Sequence, residues 1–254
     1  MTKSATPALQ VKDLGLRIGG ATILEQVDLE IEKGAFIGVI GPNGAGKTTL
    51  FNVVSGISRP TSGTVHLDGR DITGMSVHRR ARAGLGRTFQ TSSLFPQLTL
   101  RENVRIASQV ALGGSLSPWR FPRPGDAATR AAEEHLAEVG LGDRLDLLAG
   151  GLSHGDKRKL EIAVLRATDA HVVLLDEPMA GVGSGDVGAL SETIREVHRE
   201  QGSTVLMVEH HMEVLLGLVD KVAVMYFGTI IAFDTPEAVM ADARVQSAYL
   251  GSTA

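Results

Sequence analysis

Residues Gly41-Pro42-Asn43-Gly44-Ala45-Gly46-Lys47-Thr48 form an unbroken G-x-x-x-x-G-K-[ST] pattern, and its flanks restrict the fold more than any other feature. An apolar run, Phe36-Ile37-Gly38-Val39-Ile40, precedes it and reads as a buried strand. Thr49-Leu50-Phe51-Asn52-Val53-Val54 follows and can open a helix. In such a strand–loop–helix unit the glycines let successive backbone N–H groups turn inward around phosphate oxygens. Lys47 brings positive charge toward the β- and γ-phosphates, Thr48 offers a hydroxyl to Mg²⁺, and the helix N-terminus adds its partial positive charge. The expectation is a nucleoside triphosphate site.

A chain of 254 residues can bury a full core without staples. Its formal net charge of −4 supplies no general attraction for a nucleic-acid backbone, so no nucleic-acid partner is expected. With no cysteine, disulfides and thiolate metal sites are excluded. The start, Met1-Thr2-Lys3-Ser4-Ala5-Thr6-Pro7, lacks the apolar core of a signal peptide. The most apolar region, 214–233, is interrupted by Gly217, Asp220, Lys221 and Gly228, short of the roughly 20 apolar residues of a span. A soluble chain is expected, with any membrane role resting on a separate partner.

Loose alternation over residues 8–35 (Leu9, Val11, Leu14, Leu16, then Ile23, Leu24, Val27, Leu29, Ile31) predicts an antiparallel layer, which Thr64-Val65-His66-Leu67-Asp68-Gly69 extends. Val172-Val173-Leu174-Leu175 and Thr204-Val205-Leu206-Met207-Val208 are short continuous apolar runs, as buried parallel strands should be. Helical stretches between them imply a doubly wound α/β sheet. Residues 127–149 read as helix and, with 98–110 and 154–168, predict a helical insertion. The expected division is an α/β core of residues 8–92 and 169–254 with the antiparallel layer, and an inserted helical subdomain of residues 93–168.

Three further elements carry chemistry. The strand at Val172 ends in Asp176-Glu177, and strand alternation is expected to send Asp176 to the Mg²⁺ shell and Glu177 toward an attacking water. His210, just past the 204–208 strand, falls on the edge where α/β sheets bind ligands, a position suited to a γ-phosphate. Leu152-Ser153-His154-Gly155-Asp156 opens a helix, either as an anion-binding N-terminus or as an ordinary cap.

Taken together and in order, these motifs resemble the ATP-binding subunit of ATP-binding cassette transporters nearly end to end, with a P-loop NTPase core, mostly parallel sheet, antiparallel layer and inserted helical subdomain. Leu152 to Asp156 resembles the family's LSGGQ signature, Gln90 in Gly86-Arg87-Thr88-Phe89-Gln90 falls at its glutamine loop, and His210 at its switch histidine. Leu-Ser-His-Gly at 152–155, Glu-Pro-Met-Ala-Gly at 177–181 and the closing Ala248-Tyr249-Leu250-Gly251 are similar to cassettes serving branched-chain amino acid and urea importers.

The resemblance implies two cassettes meeting head to tail around ATP. Asn43, Gly44, Ala45, Gly46, Lys47, Thr48 and Thr49 would hold the triphosphate, and Thr48, Asp176 and Gln90 would complete the Mg²⁺ environment. Glu177, His210 and Gln90 would act in hydrolysis, with Ser153 and Gly155 arriving from the second cassette. The implied partners are transmembrane permease subunits, a like or related second cassette, and indirectly a substrate-binding protein. The implied location is peripheral, on the cytoplasmic face of the inner membrane. Three positions depart from the family pattern: Ile18 stands where an aromatic usually stacks on adenine, Asp156 replaces a glutamine, with Lys157 and Arg158 nearby to soften its repulsion of phosphate, and 181–186 lacks a clear Ser-Ala-Leu-Asp loop. An exporter cassette for lipid or polysaccharide would share every catalytic residue. A soluble cassette ATPase acting on DNA or ribosomes usually carries two cassettes or a coiled-coil insertion, and a regulator without turnover would not need Asp176-Glu177.

Overall fold

The computed structural model describes residues 6–88, 94–113 and 125–250, which form two compact units. The first comprises Met1–Arg87, His171–Glu177 and Gln201–Ala254, the second Thr88–Ala170 and Pro178–Glu200.

In chain order the elements are β1 (Leu9–Ile18), β2 (Ala21–Ile31), β3 (Phe36–Ile40), α1 (Lys47–Ser55), β4 (Ser62–Leu67), β5 (Arg70–Asp71), α2 (Val77–Arg82), β6 (Leu85–Arg87), α3 (Leu100–Ala111), α4 (Ala127–Glu138) and α5 (His154–Arg166). They continue as β7 (Val172–Asp176), α6 (Ser184–Gln201), β8 (Thr204–Val208), α7 (Met212–Leu216), β9 (Lys221–Tyr226), β10 (Thr229–Asp234), α8 (Pro236–Ala241) and α9 (Ala243–Leu250).

The first unit holds both sheets. One is antiparallel, in the order β2-β1-β4-β5; the other runs β10-β9-β3-β8-β7-β6, parallel except for the β9–β10 hairpin. The expected α/β architecture with an antiparallel layer is therefore present. Every residue of β3, β7 and β8 is buried, which is why those strands read as unbroken apolar runs rather than alternations. The core of this unit joins both sheets and α1, through Leu9, Val27, Leu50, Phe51, Val172 and Leu206 among others.

Arg80 is the largest fully buried side chain among the described residues, and its guanidinium donates to backbone carbonyls. Nη1 donates to Val53 and Val54 at 2.7 and 2.6 Å, Nη2 to Thr73 at 2.8 Å, and Nε to Met75 at 3.1 Å. Val53 and Val54 lie in the last turn of α1, where helix carbonyls lack intrahelical partners and a cation is favoured.

The second unit is helical among its described residues. Thr99 and Glu102 form a reciprocal capping box on α3, with Thr99 Oγ1 accepting the Glu102 N–H at 3.1 Å and Glu102 Oε2 accepting the Thr99 N–H at 2.8 Å. Asp126 caps α4 by accepting the Thr129 N–H at 2.7 Å, and Arg105 of α3 ion-pairs with Asp126 at 3.0 Å. The helix expected over 127–149 stops at Glu138: Gly140 takes φ +73, which L side chains avoid, and the chain continues in turns to Ala149. Arg166 of α5 joins α6 through Glu200 at 3.1 Å.

Replacing Arg80 by Met should strip donors from buried carbonyls and cost about 3 kcal/mol of stability. Urea denaturation checks this; a midpoint equal to that of the parent chain would show that the carbonyl cluster has other support.

Candidate nucleotide site

Parallel register builds the site. Val39 of β3 and Asp176 of β7 both pair with Val208 of β8, so the carboxyl ends of the three strands finish at one level. Gly41–Lys47, Glu177 and Glu209-His210 leave from that edge, where open α/β sheets place their ligands.

Gly41 takes φ +150 and sits so close to β9 that a Cβ there would lie 2.2 Å from the Met225 carbonyl oxygen. The next turn closes through Ala45 N–H to Pro42 O at 3.2 Å, and the Gly228 N–H anchors Ala45 O at 3.0 Å. α1 begins at Lys47 with Gly46 as N-cap and no side chain capping it. The first-turn N–H groups, which helix geometry leaves without intrahelical acceptors, therefore face no competing cap. Lys47 Nζ donates to the Gly41 and Pro42 carbonyls at 2.7 and 3.1 Å. Burial pushes the Lys47 ammonium below the usual lysine range, and the nearby Glu177 carboxylate acts in the opposite sense. Thr48 is exposed.

Asp176 is 1 % exposed and ion-paired with Arg87 at 2.7 Å. Glu177 is not oriented by strand alternation as expected. It lies one residue past β7 with φ +50, held there by donating its N–H to Val208 O at 2.9 Å. A non-glycine residue kept in that region stores strain and marks a position fixed by its surroundings. The Glu177 carboxylate thereby meets His210, whose Nε2–H donates to Oε1 at 3.0 Å. A carboxylate can only accept, so the contact sets which imidazole nitrogen carries the proton.

The other predicted positions are placed as follows. Ile18 ends β1 and is 58 % exposed. Gln90 lies outside the described residues. Ser153 is the N-cap of α5, its Oγ accepting the Asp156 N–H at 3.1 Å. Asp156 ion-pairs with Arg144 at 3.0 Å, and Arg158 pairs with Glu161 at 2.7 Å. The atypical 181–186 loop lies beside the signature turn. A Cβ on Gly181 would be 3.3 Å from the His154 ring, and one on Gly155 would be 3.5 Å from the Asp186 carboxylate.

Residues 24–180 match the ABC transporter family, and residues 229–254 match a family described as branched-chain amino acid ATP-binding cassette transporter. The chain belongs to the ABC transporter family. As an ABC cassette it binds nucleotide and is the ATP-hydrolysing subunit of a transporter. It is 37% identical over 250 residues to the high-affinity branched-chain amino acid transport ATP-binding protein LivG of Salmonella typhimurium, covering 96% of this chain and 98% of LivG. The same identity over 250 residues links it to BraF of Pseudomonas aeruginosa. Among solved structures, the ADP conformation of MJ1267, an ATP-binding cassette of an ABC transporter, superposes with a TM-score of 0.83 at 28% identity, covering 96% of this chain and 99% of that one. Among the described residues of this cassette no helix is long and apolar enough to cross a membrane.

Two residues of the site escaped the sequence reading. Glu209, 3 % exposed, accepts the backbone N–H groups of His210 and His211 at 2.8 and 3.2 Å and faces His211 Nδ1 at 3.2 Å. Arg87 was visible only as a charge in a short apolar strand, a signal that could have marked it as a buried partner. Substituting Gly41 by Ala should cost about 3 kcal/mol in folding stability and disorder the loop, because both the φ value and the Met225 carbonyl oppose a Cβ. Calorimetry paired with ATP titration measures both effects, and an unperturbed melting temperature would contradict the packing argument.

Proposed function

We propose that this cassette powers import of branched-chain amino acids, urea or a similar small polar solute. It would work as a pair of cassettes, like or related, on permease subunits at the cytoplasmic face of the inner membrane, fed by a substrate-binding protein. The observation that carries the hydrolytic part is the Glu177–His210 hydrogen bond on the sheet edge that also bears the phosphate loop. The solute class rests on the 229–254 match and on the likeness to LivG and BraF along nearly the whole chain.

In this reading the N–H groups of Asn43 through Thr49 and the Lys47 ammonium hold the triphosphate. Glu177 polarises the attacking water, which suits a carboxylate pinned by backbone strain and by His210, and His210 also addresses the γ-phosphate. Gln90 joins them from the segment following β6. The donor set offered to a metal, the Thr48 hydroxyl and the Asp176 carboxylate with Gln90, consists of hard oxygens. That fits Mg²⁺, which keeps waters and phosphate oxygens in its shell rather than an all-protein cage. Mg²⁺, when bound, supplies charge neutralisation for the β- and γ-phosphate oxygens. Ser153 Oγ accepts the Asp156 N–H at the helix cap and its O–H can still donate, so with Gly155 it can serve a phosphate of the second cassette. The helical insertion, residues 93–168, would carry the closing motion to the permease.

Glu177→Gln should lower ATP hydrolysis by about 100-fold while leaving ATP binding intact and trapping an ATP-bound dimer. In cells it should abolish uptake of labelled leucine. Near-normal turnover would remove Glu177 from its role, whereas lost turnover with unchanged leucine uptake would redirect the solute assignment.

Ile18 is proposed as the adenine-packing residue, because its exposed aliphatic face ends β1. Ile18→Tyr should then tighten ATP binding by about 1 kcal/mol through stacking. An unchanged or weaker dissociation constant would move the adenine platform elsewhere.

A further inference from the structure

We propose that Arg87 is the positioning residue of the metal half of the site, locking the phosphate-loop helix to the strand-end carboxylate. The proposal rests on the reading that Thr48 and Asp176 serve Mg²⁺. Thr48, Asn52 and Ser55 recur at i, i+4 and i+7 of α1 and therefore share one face of that helix. Arg87 grips this face: Nη1 donates to Asn52 Oδ1 at 2.9 Å and to Ser55 Oγ at 2.7 Å. From the same planar group Nη2 donates to Asp176 Oδ2 at 2.7 Å, and the guanidinium carbon lies 5.8 Å from the Phe51 ring centroid. The two charged side chains are 6 % and 1 % exposed.

One rigid fork thus spans the two elements that carry the proposed metal ligands, while β6 pairs in register with β7 beside it, Arg87 opposite Leu174. A buried ion pair is weak evidence for stability, because desolvation offsets most of its Coulombic gain. Its geometric content is considerable: three hydrogen bonds from one planar guanidinium set the separation between the Asn52–Ser55 face of α1 and the Asp176 carboxylate. A lysine ammonium keeps the charge but cannot reproduce that fork.

The test is the affinity of a fluorescent ATP analogue, measured in EDTA and in rising Mg²⁺, for the full chain with Arg87→Lys and with Arg87→Gln. Affinity in EDTA should stay within about two-fold of the parent chain, while the enhancement by Mg²⁺ falls about ten-fold in both variants, as for other residues that orient metal ligands. Parental enhancement in both variants overturns the proposal. So does a loss equal in EDTA and in Mg²⁺, which would mark a purely structural role, and so does full recovery by lysine, which would make charge sufficient. Should the Arg87 variants fail to fold, the double change Asn52→Ala with Ser55→Ala leaves the Arg87–Asp176 pair in place and cuts only its hold on α1. It should lower the enhancement by about three-fold, and parental enhancement there also overturns the proposal. A parent chain bound equally well in EDTA and in Mg²⁺ would remove the metal assignment itself.

Discussion

The parallel pairing of β3, β8 and β7 in matched register is the constraint from which the site follows. Because Val39 and Asp176 both oppose Val208, the phosphate loop, the Asp176-Glu177 pair and the Glu209-His210 pair emerge from one sheet edge without any long connection having to find it. A slip of one residue along β7 would turn Asp176 and its neighbours to the opposite face of the sheet and move Asp176 off the level of Val39.

α1 is an electrostatic device as much as a packing element. Its N-terminus, uncapped by any side chain, keeps its N–H groups for an anion, while its last-turn carbonyls are met by the buried guanidinium of Arg80. Both ends thus complement the helix dipole. A second guanidinium, Arg87, holds the helix flank, and Lys47 folds back over the loop that precedes it. Three buried cations around nine residues of helix would repel one another without compensation. The carbonyls of Gly41, Pro42, Val53 and Val54 and the Asp176 carboxylate supply that compensation.

Around Glu177 and His210 the backbone does the aiming. Glu177 sits in the left-handed region because its N–H is tied to Val208, and His210 is held from behind by the buried Glu209 carboxylate acting on two successive N–H groups. Preorganisation of this kind removes the need to reorganise the groups when charge develops, which is where electrostatic stabilisation is most effective.

The sequence alone determined the phosphate loop, its strand and helix flanks, the strand ending in Asp176-Glu177 and the α/β class, since each is written in contiguous residues whose spacing is itself the physical requirement. It could not determine how Glu177 is aimed, because the αL turn depends on a hydrogen bond to β8, a strand that enters the sequence only after α6. Nor could it show that Arg144, twelve residues upstream, ion-pairs with Asp156, because that contact forms only when the turns after α4 pack against α5. Arg87 and Asp176 are separated by 89 positions, and no periodicity links them. Hydrophobic pattern and local turn chemistry act over a few residues, so they specify elements. Which charge meets which in the interior is decided only when the sheet closes and desolvation forces each buried ion to find a partner.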